Sequence, residues 1–410
     1  MNDAVNSPSF VRAGEGSEPW VEVSLGDLAD LKNGYAFASS TYNVLGQYRI
    51  VTIANVQQGR MDLRQCSRIV SAPKDLQSHQ LLSHGDILIS MTGNVGRVCL
   101  VNEDNCLLNQ RVGKLSPRRV SRSFLFQLLL QPTFVEAMAG KATGGAQGNL
   151  GKDDILDHPF YVPTCRSEQE AIAEVLSDAD ALIEGLDRLI AKKRLIKQGA
   201  MQDLLTAKRR LPGFSGEWGE RRLRTLCKVS RGASPRPIAS ARWFDNSSST
   251  GWVRISDLPQ SGRFLTQTTQ RLSQDGIDRS RRVPIGSLIM SIAATVGKPA
   301  ITTIDTCIHD GFVVFSDLKV DQLFLYYLLK TMEPEWSQHG QTGSQMNINT
   351  AIIEAAEVFV PETIEEQAAI SCVFADMDTE IQALETRLDK ARQVKEGMMQ
   401  NLLTGRIRLV

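Results

Sequence analysis

The sequence predicts an α+β chain: two tandem mixed α/β domains, each followed by a long helix, with the helices paired as an antiparallel coiled coil about an internal pseudo-twofold repeat. Three observations carry that expectation. An amphipathic stretch runs unbroken from Ser167 to Thr206, a second copy lies 198 residues downstream, and both copies carry a charge gradient.

In the first copy Ile172, Leu176, Ala179, Ile183, Leu186 and Ile190 alternate by four and three residues, which places them on one stripe of a helix. Ile370, Phe374, Met377, Ile381, Leu384 and Leu388 repeat that spacing in the second. These twelve are the expected helix–helix contacts. Ser167 and Glu170 are spaced for a capping box, and nothing breaks the pattern before Pro212-Gly213. About 40 residues make a rod roughly 60 Å long, more than a compact domain needs.

The 198-residue offset aligns Gln147 with Gln345, Asn149 with Asn347, Pro163 with Pro361, Glu168-Gln169 with Glu366-Gln367, and Leu204-Leu205-Thr206 with Leu402-Leu403-Thr404. A period that long signals two homologous halves rather than a solenoid. Seven acidic residues and no basic one lie between Glu168 and Asp187, whereas Arg188 to Leu211 holds eight basic residues against Asp203 alone. The second copy likewise begins with Glu365-Glu366 and ends with Arg392, Lys395, Arg406 and Arg408. Antiparallel packing sets each acidic start beside the other's basic end; Lys193 is expected to interrupt the seam.

The boundaries that follow are 1–163 for the first domain, with 1–19 expected to be disordered, 164–211 for the first long helix, 212–361 for the second domain and 362–410 for the second helix. Within the domains, Trp20, Leu25, Leu28 and Gly34 keep the 198 offset to Trp218, Leu223, Leu226 and Gly232. The strand-like runs Arg49–Val56 and Trp252–Leu258 are offset by 202, and the runs that begin at Gly85 and Gly286 by 201, so short loop insertions separate shared strands.

With 42% hydrophobic and 22% charged residues, the composition is that of an ordinary globular protein. The polar first 20 residues and the lack of a long apolar run point to a cytoplasmic protein without membrane association. Seven scattered cysteines without a C-x-x-C pair fit a reducing compartment and indicate neither disulfides nor a zinc site. Net charge is zero, yet residues 212–298 hold 14 Lys/Arg against 6 Asp/Glu, while 299–361 hold 2 against 8. The second domain thus has a localised basic region.

No catalytic set is present in the sequence. Gly151-Lys152 lacks the glycine and hydroxyl of a phosphate loop, G-x-G-x-x-G and G-x-S-x-G are absent, and the five histidines are not spaced as metal ligands. No N-P-P-[YF] or D-P-P-Y tetrapeptide occurs. The expectation is a chain that binds rather than reacts, with no metal and no cofactor of its own. Candidate DNA contacts are Tyr35 and Tyr42, which flank an exposed-looking segment; Arg97 and Lys298, which follow matched glycines; Arg231 and Arg236 in SRGASPRP; and Arg254. Basic side chains can bond guanine in the major groove or neutralise phosphate.

Several motifs together give the chain its resemblance to the specificity subunit of type I restriction-modification systems. They are the tandem domain-plus-helix plan, the GDILISMTGNVG element from Gly85, Asn109-Gln110-Arg111, and Val-Pro followed by Glu-Gln at Pro163/Glu168 and Pro361/Glu366. The stretches Thr143–Leu150 and Thr342–Ile348 also fit. The second domain departs from the pattern at Ser287, Ala294 and His309-Asp310-Gly311. The resemblance implies target-recognition domains that each read half of a split double-stranded DNA site, with the rod setting the spacer. It also implies two methyltransferase subunits docked on the helices, and two restriction subunits where restriction is present. S-adenosylmethionine, ATP and Mg would then reside on those partners. Alternatives are the recognition subunit of a type IIB/IIG-like restriction-methylation enzyme and a DNA-independent coiled-coil scaffold.

Overall fold

The computed structural model describes residues 10–12, 19–142, 148–258, 262–339 and 348–409. The chain divides into two units, Met1–Gly185 with Leu388–Val410, and Leu186–Arg387. Each holds one mixed α/β domain, the end of one long helix and the start of the other.

In the first unit, strand Trp20–Ser24 pairs antiparallel with Pro159–Pro163, so the domain closes where the chain enters its helix. The pairing of Trp218–Arg222 with Glu357–Pro361 repeats this in the second unit. Beside a short hairpin of Val56–Gln57 with Arg60–Met61 in the first domain, each domain has two further sheets. One has the strand order 98–100, 87–90, 112–117, 29–33 in the first unit, and 228–231, 312–316, 288–291, 299–302, 264–265 in the second. The other contains a parallel pair, Tyr48–Val51 with Cys106–Leu108, matched by Gly251–Val253 with Thr306–Ile308. Strands Ile87–Ser90 and Leu288–Ser291 are buried along their whole length, which explains their continuous apolar runs.

Two strand expectations need shortening. Arg49–Val56 breaks after Val51, and Trp252–Leu258 breaks after Val253. In the first, Asn55 Oδ1 accepts from the Thr52 amide and hydroxyl at 2.9 Å; in the second, Asp257 Oδ2 accepts from the Arg254 amide at 2.8 Å. A short polar side chain that bonds the backbone three residues earlier makes a turn and ends the ladder.

The long helices run Arg166–Leu204 and Ile364–Leu402, 39 residues each. The capping box expected of Ser167 and Glu170 does not form. The helix already begins at Arg166, whose Nε donates to Glu170 at 3.0 Å, and Ser167 faces Cys165 Sγ at 2.9 Å. Gln169 Nε2 instead donates to the Pro163 carbonyl at 2.8 Å, and Gln367 Nε2 to Pro361 at 2.9 Å. The repeated Glu-Gln thereby ties strand to helix in both units.

Antiparallel helix packing is visible inside each unit. In the first, Lys395 donates to Asp180 Oδ1 at 2.6 Å, and Arg408 makes two 2.6 Å bonds to Glu168. In the second, Lys197 pairs with Asp378, and Arg210 bonds both oxygens of Glu366 at 2.7 and 2.8 Å. Adding 198 to Lys197 and Asp180 gives Lys395 and Asp378, and adding it to Arg210 and Glu168 gives Arg408 and Glu366, so the ion pairs themselves obey the repeat. Lys193 is half-buried and meets Glu380 at 2.6 Å, so the seam carries a pair there rather than a bare charge. All twelve stripe residues are buried or half-buried.

At the N-terminus, the disorder expected of 1–19 does not extend to Phe10–Arg12, which pairs antiparallel with Ile407–Leu409. The rest of 1–18, and the motif residues 143–147 and 340–347 with Gln147, Gln345 and Asn347, lie outside the described residues.

Candidate functional site

At matched glycines of the two domains, two chain segments cross with no space between backbones. An added Cβ on Gly34 would sit 2.2 Å from the Asn109 carbonyl oxygen, and one on Gly232 would sit 2.1 Å from that of His309. Only glycine permits that approach. The amide of Tyr35 bonds the Leu108 carbonyl at 2.8 Å, and that of Ala233 bonds Ile308 at 3.1 Å. The two domains therefore share a fixed crossing that carries different side chains.

In the first domain the crossing presents Tyr35, Asn109, Gln110 and Arg111. The Tyr35 hydroxyl lies 3.0 and 3.1 Å from the two Asp75 oxygens, a bond that raises its pKa, and its ring packs 5.0 Å from Phe37. Gln110 and Arg111 are exposed. Tyr42 is exposed beyond a short turn, and the adjoining Val44 and Leu45 are each 89% exposed.

In the second domain Arg231 and Arg236 both bond Asp310, and the Arg254 charge acts on the neighbouring His309. Arg231 Nε donates to the Asp310 carbonyl at 2.7 Å, and Arg236 Nη2 to Asp310 Oδ2 at 2.8 Å. The Ser234 hydroxyl donates to Asp310 Oδ1 at 2.7 Å, and Arg281 Nε to the Arg231 carbonyl at 2.5 Å. Burial pushes the Asp310 carboxyl up, but the Ser234 bond and the Arg236 charge outweigh it, so the group lies below its usual range. Burial lowers His309, the nearby Arg254 adds to that shift, and Asp310 opposes it. The neutral ring packs between Trp252 and Phe312.

Arg97 and Lys298 belong to a neighbouring hairpin. Ser90 and Ser291 accept the Arg97 and Lys298 amides, each at 3.1 Å, and donate to the carbonyls of Asn94 and Thr295. Gly93 is in the left-handed region at φ 69°, and Ala294 adopts the same conformation at φ 58°, so the turn survives loss of its glycine. Arg97 is half-buried and donates to Gln57 Oε1 at 2.7 Å. The other departure, Ser287, is also compensated. Asp86 pairs with Lys114 at 2.6 Å in the first domain, and Val314 stands where that lysine would be in the second, so acid and base are exchanged together.

Sequence reasoning missed Asp75, Ser234, Asp310 and Arg281. Asp310 stood in the sequence as a mere departure from Asn-Gln-Arg; its opposition to a basic loop was the available signal.

Comparison with known proteins fits this duplicated plan. The family model for the type I restriction modification DNA specificity domain matches twice, at residues 17–192 and 215–393. The putative type I restriction enzyme MjaX specificity subunit of Methanocaldococcus jannaschii is 22% identical, over 97% of this chain and 95% of that one. The type I restriction enzyme EcoAI specificity subunit of Escherichia coli is 29% identical over 46% of this chain and 32% of its own. Among solved structures, the S subunit of a type I restriction-modification system from M. genitalium superposes with a TM-score of 0.63 at 15% identity, covering 96% and 98% of the two chains. With both domains matched, the chain belongs to the family of type I restriction-modification DNA specificity proteins.

Proposed function

We propose that this chain is the sequence-specific DNA-recognition subunit of a type I restriction-modification complex, in which each domain reads one half of a bipartite double-stranded site. The observation that carries the reading is the paired crossing. Two domains hold the same backbone approach, Gly34 against Asn109 and Gly232 against His309, yet present different polar and basic side chains from it. A binder of two different half-sites needs a common scaffold with divergent readers.

In this reading Tyr35, Tyr42 and Arg97 contact DNA from the first domain, and Arg231, Arg236, Arg254 and Lys298 from the second. The long helices set the spacer and provide docking surfaces for two methyltransferase subunits, with restriction subunits joining that core. The chain supplies the address, and its partners bring S-adenosylmethionine, ATP and Mg. Base flipping and methyl transfer are then the partners' chemistry. Among the described residues no helix is long and apolar enough to cross a membrane, in keeping with a protein that works on DNA in the cytoplasm.

The test replaces residues 212–361 with the corresponding domain of another family member and maps the methylated motif. One half-site should change while the other half and the spacer persist. A change in both halves contradicts two independent readers.

A further inference from the structure

We propose that Arg236 and Asp310 form a base-reading pair in the second domain, the carboxylate holding the guanidinium in a fixed plane so that its outer edge bonds one guanine of that half-site. The inference rests on the reading of the chain as a DNA-recognition subunit and assigns a specificity-determining residue within it.

Position is the first argument. Asp310 sits at the glycine crossing, whose backbone is pinned in both domains. Side chains that diverge on a pinned backbone are where two half-sites can be told apart. His309-Asp310-Gly311 faces Ser234 and Arg236 here, whereas Asn109-Gln110-Arg111 faces Tyr35 in the first domain.

The hydrogen bonds are the second argument. Asp310 is held at every polar atom: Oδ1 by the Ser234 hydroxyl at 2.7 Å, Oδ2 by Arg236, the carbonyl by Arg231 Nε, and its amide donates to Ser234 Oγ at 3.3 Å. A carboxylate so fixed can orient whatever it binds. Arg236 uses one terminal nitrogen for it, and its side chain is 71% exposed, so further N–H groups face solvent. Guanine presents O6 and N7 side by side in the major groove, a pattern matched by two coplanar donors. An ion pair this exposed adds little stability, whereas a pre-oriented guanidinium loses less freedom on binding.

Charge is the third. Arg231 and Arg281 stand beside the pair, and each spends its Nε on a backbone carbonyl. Their remaining positive charge suits phosphate, while Arg236 alone is partnered by a carboxylate that discourages a phosphate at the same place.

The test uses the assembled methyltransferase complex and a set of duplexes carrying the wild-type site or one base-pair change at each position of the second half-site. Arg236→Ala should relax discrimination at one G·C position by about tenfold or more and leave the other positions as they were. Asp310→Asn should relax the same position while general affinity for DNA is kept or rises, since a negative charge is removed. Arg236→Lys keeps the charge, loses the planar fork, and should also relax that position; it serves if the alanine variant folds poorly. A uniform loss across all duplexes with a salt slope reduced by about one makes Arg236 a phosphate contact and overturns the assignment. Unchanged discrimination overturns it too, as does relaxation at different positions in the two variants. If the wild-type complex shows no preference among the duplexes, the recognition reading itself fails and takes this pair with it.

Discussion

Removing Asp378 isolates the cost of burying a charge where helix and domain meet. Lys197 is only 7% exposed; its ammonium bonds Asp378 Oδ1 and lies 5.1 Å from the Tyr327 ring centre. The Tyr327 hydroxyl donates to Asp378 Oδ2 at 2.7 Å, and Arg263 stands 3.7 Å from that oxygen. Asp378→Ala takes a charge-assisted bond from a buried ammonium, worth about 1.5–3 kcal/mol, and an acceptor from a buried hydroxyl, worth about 1 kcal/mol. Together these predict a loss of about 3 kcal/mol, at the lower end of what breaking a buried pair costs. Lys197→Met with Asp378→Leu removes both charges and should recover most of it. Asp180→Ala, whose carboxylate is more exposed in the matching pair with Lys395, should cost less. The assay is denaturant unfolding of the full chain. A loss below about 1 kcal/mol for Asp378→Ala, or a double variant no better than the single, would refute the reasoning.

Other substitutions test the remaining buried features. Arg408→Ala strands Glu168, almost wholly buried, and should destabilise the first unit by about 3 kcal/mol or more in the same assay. Gly34→Ala and Gly232→Ala drive a methyl group into a carbonyl oxygen, so each should cost at least about 2 kcal/mol and weaken DNA binding; wild-type stability would contradict the crossing. His158 packs against Phe134 and Phe160, and burial, helped by the Lys141 charge, lowers its pKa. The unfolded chain therefore takes up this proton first. The stability contributed by the neutral ring is complete above about pH 6.5 and falls as pH drops below it. His158→Leu should flatten the fall in unfolding midpoint between pH 7.5 and 5.5, and an unaltered slope would rule this histidine out as its source.

The long helices were legible because an apolar stripe needs only local spacing, and Ile172 to Ile190 supply it without a break. Their direction was legible because charge segregates along each copy. Detail failed where a choice depended on one side chain. Ser167 read as a cap although the chain turns helical one residue sooner, and Asn55 and Asp257 cut strands that alternation alone would continue. The buried pairs were hidden for another reason. Lys197 and Glu168 look solvated in one dimension, and only their partners at Asp378 and Arg408 make burial tolerable. Of the candidate DNA contacts, Arg231 and Arg236 converge on Asp310, while Tyr42 lies beside the exposed Val44-Leu45 tip and Arg97 is engaged with Gln57. That convergence depends on Asp310, about 75 residues away in sequence, and no local pattern marks it.

The most direct measurement is a genome-wide map of adenine methylation in cells carrying this chain with the methyltransferase subunit proposed to dock on it, compared with cells lacking the chain. A split motif with a fixed spacer that vanishes on deletion is the expected result. Methylation unchanged by deletion, while the complex still assembles, would contradict it.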